Sequence, residues 1–296
     1  MSNYSIISPT KHGWYYGYGF FSNYRICLEE LISHYESGNE EIPYISWANT
    51  TWVKSINPFE NKVTPSDINP FDFWFDQPTI TSEDTATLNK YPPSKYGTLI
   101  DHAQHYFDNP TELKRQQTID NLYIKPKQYI IDKIDKIYKD EFEGHTVLGL
   151  MARGTEYNLH HPMYGVFGVQ DYIKEVKQIL EENKEITKIF IISEDMGYID
   201  AISKAFPESY FMSDVFRRTD ETMEYINRVH CWPNVSTKRE EHCKLLGEEV
   251  IIQAKLMGKC DYLFGRLSGM LAGGALWSEN IKKVYQIWQE QKLYNR

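Results

Sequence analysis

The sequence predicts an α/β protein made of two units with parallel sheets, facing a common cleft. Three observations carry this expectation. From Thr146 onward, apolar runs of strand length alternate with amphipathic helical stretches, the pattern of a parallel sheet covered on both faces. Near the N-terminus a loop, a helix and a short strand form a smaller unit of the same kind. A long helical stretch connects them, so the boundary is expected at residues 142/143, with an N-terminal unit over 1–142 and a C-terminal unit over 143–296.

The N-terminal unit begins with a loop rich in glycine and aromatics, HGWYYGYGFFSN. RICLEELISHYESG then places Ile26, Leu28, Leu31, Ile32 and Tyr35 at helical spacing, with Gly38 just past the end. IPYISWA reads as a short strand. Residues 54–110 carry many Pro, Asn, Asp and Ser residues and predict irregular structure with short helices. Within them Phe71, Phe73, Trp74 and Phe75 could fill a core or line a groove, and core is the expectation for most of them. Thr111 to Phe142 reads helical, with Ile130, Ile131, Ile134 and Tyr138 as its apolar stripe, interrupted at Ile124-Lys-Pro-Lys.

The C-terminal unit is more regular. TVLGLMA, ITKIFIISED, ESYFMSD and DYLFGRLSG read as strands. QDYIKEVKQILEENK, YIDAISKAF, KLLGEEVIIQAKLMGK and MLAGGALW read as the helices between and after them. Ligands of open parallel sheets sit at the carboxyl ends of strands, so those ends are where chemistry is expected.

The totals exclude several classes. The 296 residues suit two domains of ordinary size. A net charge of -9 argues against a nucleic-acid binder. The 4 scattered cysteines do not make a disulfide framework. The opening residues MSNYSIISPTKHGWYYGYG lack the basic start and apolar core of a signal peptide, and no run approaches the roughly 18 apolar residues of a membrane span. A cytoplasmic protein is expected; peripheral association with a membrane-bound substrate would leave no trace in the sequence.

Three strand ends carry candidate chemistry. In MARGTEYN the planar fork of Arg153 suits phosphate oxygens, and Gly154 permits close backbone approach. The alternative is a surface ion pair between Arg153 and Glu156. In IFIISED, Glu194 and Asp195 suit ribose hydroxyls or a base edge, and equally suit capping of the next helix. In FGRLSGMLAGG, Ser268 and Gly269 open a helix whose N-terminus favours phosphate, with Arg266 close enough to add charge; ordinary strand–helix punctuation is the alternative. No Walker lysine or dinucleotide fingerprint accompanies them.

Together these segments resemble the superfamily of α1,2/α1,6-fucosyltransferases and protein O-fucosyltransferases. Gly149-Leu-Met-Ala-Arg153-Gly-Thr-Glu156 is similar to that family's arginine strand, with Met151 and Glu156 replacing its His and Asp. Ser193-Glu-Asp195 and Asp261-Tyr-Leu-Phe-Gly-Arg-Leu-Ser268-Gly269 resemble its later motifs, and Gly19-Phe-Phe-Ser-Asn23-Tyr its N-terminal loop. The resemblance implies two Rossmann-like domains of the GT-B type. It also implies a metal-independent inverting transfer of fucose from GDP-fucose to a glycan or glycoconjugate hydroxyl, without a cofactor; the alternatives are a non-catalytic nucleotide- or carbohydrate-binding protein and another phosphate-handling transferase on the same fold. The 54–110 stretch would then be an insertion on the acceptor side.

In that reading Arg153 supports the departing diphosphate, joined by Ser268, Gly269 and Arg266, and Asn23 falls on the family's loop asparagine as a further catalytic residue. Arg217 and Arg218 are further candidates, against a solvated charge run among Asp214, Asp220 and Glu221. Glu156 is the carboxylate placed to act as general base, with His160 and His161 following on the same loop. The pairs His230-Cys231 and His242-Cys243 lack the spacing of a zinc site, so no metal is expected.

Overall fold

A computed structural model describes residues 3–8, 19–39, 41–48, 50, 52, 56–57, 62–63, 69–78, 85–88, 103–154, 167–217 and 239–287. The protein is mixed α/β with two parallel sheets.

The smaller sheet begins with β1 (Asn3–Ile7), a strand that the sequence pattern does not announce because NYSII is polar for three residues. Helix α1 (Phe20–Glu36) follows and returns the chain to β2 (Tyr44–Ile45), parallel to β1. The expected loop–helix–strand is therefore a complete β–α–β unit. Its sheet runs β2-β1-β6, where β6 (Thr85–Leu88) comes from the stretch read as irregular.

Between β2 and β6 lie short pieces: β3 (Ile56–Asn57) paired with β4 (Lys62–Val63), then a 3₁₀ turn over Pro70–Phe73 and β5 (Phe75–Asp76). Asn69 anchors that turn. Its side chain accepts from the amides of Phe71 (3.3 Å) and Trp47 (2.8 Å) and donates to the Ile45 carbonyl (2.8 Å). This fixes Phe71, Trp74 and Phe75 in the core, where all three are fully buried, as expected for most of that aromatic cluster.

Helices α2 (Ala103–Asp108) and α3 (Pro110–Tyr123) precede β7 (Lys125–Pro126), which pairs with β5 at the expected break. Then α4 (Gln128–Ile137) and a π turn over Tyr138–Phe142 lead into the larger sheet. Pro126 has no amide to continue a helix, so the helical stretch divides there.

The larger sheet contains β8 (Val147–Met151), β9 (Lys188–Ile192), β10 (Ser209–Tyr210), β11 (Tyr262–Arg266) and β12 (Lys283–Ile287). The helices are α5 (Val169–Glu182), α6 (Met196–Ala205), α7 (His242–Gly258) and α8 (Gly269–Leu276). All strands are parallel in the order β10-β9-β8-β11-β12. Strand alternation divides the packing. Leu148, Leu150, Tyr262 and Phe264 meet α5 and α6, whereas Val147, Met151 and Leu263 join a larger cluster on the other face. That larger cluster runs from Ile7 in β1 to Val284 in β12, so one apolar core joins both sheets.

Candidate active site

The sheet order reverses direction between β8 and β11: the chain winds outward from β8 to β10, then crosses back to β11 beside β8. Open α/β sheets bind ligands in the crevice at such a reversal, outside the carboxyl ends of the strands. Residues leaving β8 and β11 there are Arg153–Gly154 and Leu267–Ser268.

Arg153 is held on two sides. Its amide donates to the Tyr172 hydroxyl (3.1 Å), which in turn donates to the Arg153 carbonyl (3.3 Å). Glu194 at the exit of β9 accepts from the Gly154 amide (3.0 Å) and lies 3.5 Å from the guanidinium Nε. The Arg153 and Glu194 side chains are 24% and 14% exposed, so the pair is largely shielded from water. A Cβ on Gly154 would lie 3.0 Å from the Cβ of Asp195. Glycine thus lets the exits of β8 and β9 meet.

Asp195 is the N-cap of α6, its carboxylate accepting from the Gly197 amide (2.9 Å), while Ser193 Oγ accepts from the Asp195 amide (3.1 Å). Ser268 caps α8 in the same way, with Oγ accepting from the Leu271 amide (3.2 Å). Arg266, the last residue of β11, is only 1% exposed, with its guanidinium 5.1 Å from the Phe167 ring. By strand alternation it shares the α5–α6 face with Phe264. Burial pushes the Tyr172 phenol above its ordinary value, and the positive charge of Arg266 opposes that shift.

Asn23 reaches this edge through a helix–helix contact. Phe21, at the start of α1, lies over the glycines of α8: a Cβ on Gly269 would sit 2.8 Å from the Phe21 Cβ, and one on Gly273 2.2 Å from Phe21 Cε1. The first turns of α1 and α8 therefore lie side by side, and the buried Asn23 belongs to the first turn of α1. Two helix N-termini carrying partial positive charge are thereby adjacent to the β11 exit.

Sequence reasoning did not single out Tyr172 or Phe21. Tyr172 reads only as one apolar position on an amphipathic helix. The spacing of Gly269 and Gly273, four apart on a small-residue helix, was the available sign that another chain packs closely there.

Glu156, His160, His161, Arg218, His230 and Cys231 lie outside the described residues. Arg217 is 7% exposed and thus not part of a solvated charge run. The buried His242 ring packs edge-on against Phe216 at 4.6 Å. Among the described residues no group of three or more His, Cys, Asp or Glu is placed to hold a metal, and no helix is long and apolar enough to cross a membrane.

Neither protein-family models nor curated proteins match this chain. Solved structures do. NodZ α-1,6-fucosyltransferase soaked with GDP-fucose aligns with 94% of this chain and 93% of its own at a TM-score of 0.52 and 16% identity. NodZ co-crystallized with GDP gives 0.50 and 15% over the same shares. NodZ from Bradyrhizobium gives 0.52 and 15% over 94% of each chain. The chain has a fucosyltransferase-like fold. This fucosyltransferase-like fold spans both sheets, since the alignment covers nearly the whole chain.

Proposed function

We propose that this protein is an inverting, metal-independent glycosyltransferase that moves fucose from GDP-fucose to a hydroxyl of a glycan or glycoconjugate. The observation that carries this reading is the exit of Arg153 from β8 and of Ser268 from the adjacent β11 at the reversal point of the larger sheet, with the first turn of α1 packed on α8. The NodZ fold, whose structures include one soaked with GDP-fucose, supports the choice of donor class. Two Rossmann-like domains of the GT-B type, 1–142 and 143–296, complete the reading, with the donor on the C-terminal side and the acceptor on the N-terminal side.

Displacement at the anomeric carbon builds negative charge on the departing diphosphate. Fixed cations and oriented N–H groups meet that charge without reorganising. Arg153 fills this role, with Glu194 and Tyr172 fixing its direction. Ser268 and Gly269 offer the α8 N-terminus, Asn23 the first turn of α1, and Arg266 adds field from within β11. Glu194 and Asp195 stand at the same edge for the ribose hydroxyls. Glu156 is the base that takes the acceptor proton.

The test has two steps. Thermal shifts are measured with GDP, UDP, CMP and their sugars; selective stabilisation by GDP and GDP-fucose is expected. Fucose transfer to oligosaccharide acceptors is then followed by NMR with and without EDTA. Inversion at the anomeric carbon with full activity in EDTA is expected. Absence of response to every nucleotide would refute the reading.

A further inference from the structure

The edge strand β12 has two differently covered faces. Val284 joins the core on the side of α8. Tyr285 and Ile287 stand on the other side, at the positions paired with Phe264 and Arg266 of β11, in the cluster that α5 and α6 form with the sheet. A groove of about 410 Å³ lies there between α5 and β12. Its lining comes from α5, β11, β12 and Phe167 on the approach to α5.

One wall is a stripe on α5. Glu175, Gln178 and Glu182 follow at three- and four-residue steps, so they share one helix face. From Glu175 to Glu182 that face spans two turns, about 10 Å. Gln178 Nε2 donates to the Glu182 carboxylate at 3.0 Å, which fixes the amide and leaves its carbonyl oxygen to accept. The floor is apolar, with Phe264 buried and Tyr285 and Ile287 half-buried. Tyr285 is held in place: its hydroxyl accepts from Asn183 Nδ2 at 2.7 Å, and Lys283 Nζ stands 4.3 Å from its ring. The groove starts at the carboxyl edge of the sheet, where Phe167 lies against Arg266, and runs down α5 away from the crevice.

The lining selects its ligand. Among the described residues two carboxylates and no lysine or arginine line the groove, so a phosphate or sulfate is repelled. An apolar ligand would strip water from both carboxylates and put nothing in its place. A compact cation would pair with one carboxylate and leave the other, about 10 Å away, without it. A sugar chain meets every part: its C–H faces suit Tyr285 and Ile287, and its hydroxyls donate to Glu175, Gln178 and Glu182 in charge-assisted or neutral hydrogen bonds. The volume falls within the range of about 300–1,000 Å³ common to small-molecule sites.

We propose that the groove between α5 and β12 is a second binding site, outside the reaction crevice, for a neutral oligosaccharide chain. Its role as a distal hold on the acceptor rests on the transferase reading above; the binding itself does not.

The test is methyl NMR on the full chain labelled at isoleucine, because Ile179 and Ile287 line the groove while Ile7 and Ile45 sit in the smaller sheet. Maltohexaose, cellohexaose and chitohexaose are titrated in turn to about 5 mM, with spermine as the cationic control. At least one hexasaccharide should shift Ile179 and Ile287 together and leave Ile7 and Ile45 in place. Glu175→Ala, a change that favours the helix, should weaken that binding about 10-fold. Failure of all three sugars to move the groove methyls overturns the proposal and leaves the GDP-fucose reading standing. Tighter binding of spermine than of any sugar overturns it too, as does unchanged affinity in Glu175→Ala. Sugar binding by a chain that ignores every nucleotide would remove the transferase reading and keep the groove.

Discussion

Gly273→Ala tests the contact that brings α1 to α8. The added methyl would lie 2.2 Å from Phe21 Cε1 and 2.5 Å from Cζ, where ordinary contact begins at 3.4 Å. The ring has little room to retreat, because Trp277 and Phe20 each stand 5.5 Å from it in edge contact. Overpacking of this kind costs about 1–3 kcal/mol. Alanine in a helix returns roughly 0.5–1 kcal/mol relative to glycine. The net loss in the wild type is therefore about 0–2.5 kcal/mol. Phe21→Ala costs about 3–5 kcal/mol by itself but removes the obstacle, so Gly273→Ala in that background should stabilise by roughly 0.5–1 kcal/mol. The coupling between the two sites equals the clash, about 1–3 kcal/mol. Urea unfolding of the four proteins at constant m-value measures it. Additive effects within about 0.5 kcal/mol would refute the close approach of α1 to α8. Gly273→Ala should also weaken GDP binding, because it pushes the first turn of α1 away from Ser268.

Other perturbations address the site and its support. Arg153→Ala should lower turnover about 10²–10³-fold, the scale of one lost transition-state donor, with little change in Tm; unchanged turnover would sink its assigned role. Tyr172→Phe removes the hydroxyl that clasps the Arg153 peptide, so donor affinity should fall several-fold while far-UV circular dichroism stays the same. Asp120→Ala should cost about 3 kcal/mol in chemical unfolding. It strands the Trp277 indole N–H that donates to Asp120 at 2.9 Å, and the Tyr24 hydroxyl beside it. Asp120 also predicts a pH effect. Burial raises its pKa in the folded state, with Lys255 opposing. Its favourable contribution is therefore fully present below the unfolded value and lost as pH rises through the folded one. The stability of Asp120→Asn relative to wild type should improve as pH rises across that window. Parallel stability–pH curves for the two proteins would contradict this.

The larger sheet was legible because β8, β9 and β11 are largely apolar runs of strand length between amphipathic helices, the pattern of parallel strands buried on both faces. β1, β6 and β12 were not. NYSII, TATL and KVYQI mix polar with apolar residues and become strands through pairing with distant partners. At the candidate site, Arg153, Ser268 and Gly269 were readable because charged or small residues after an apolar strand stand out locally. The partner of Arg153 was not readable. Glu194 is forty-one residues away, and only the adjacency of β8 and β9 brings it there. Arg217 shows the same limit from the other side: flanked by Arg218, Asp214, Asp220 and Glu221 it looks solvated, yet the fold buries it.

The unbroken apolar cluster from Ile7 to Val284 makes the two ends of the chain depend on each other. Proteins whose halves have private cores can exchange one half by recombination and keep the other intact. Here a transplanted N-terminal half would need to match Phe21 to Gly269 and Gly273, and Tyr24 to Trp277, before it could fold at all. Separating the two ends of the chain should therefore expose an apolar face on each, so neither end alone should keep the packing it has in the whole chain.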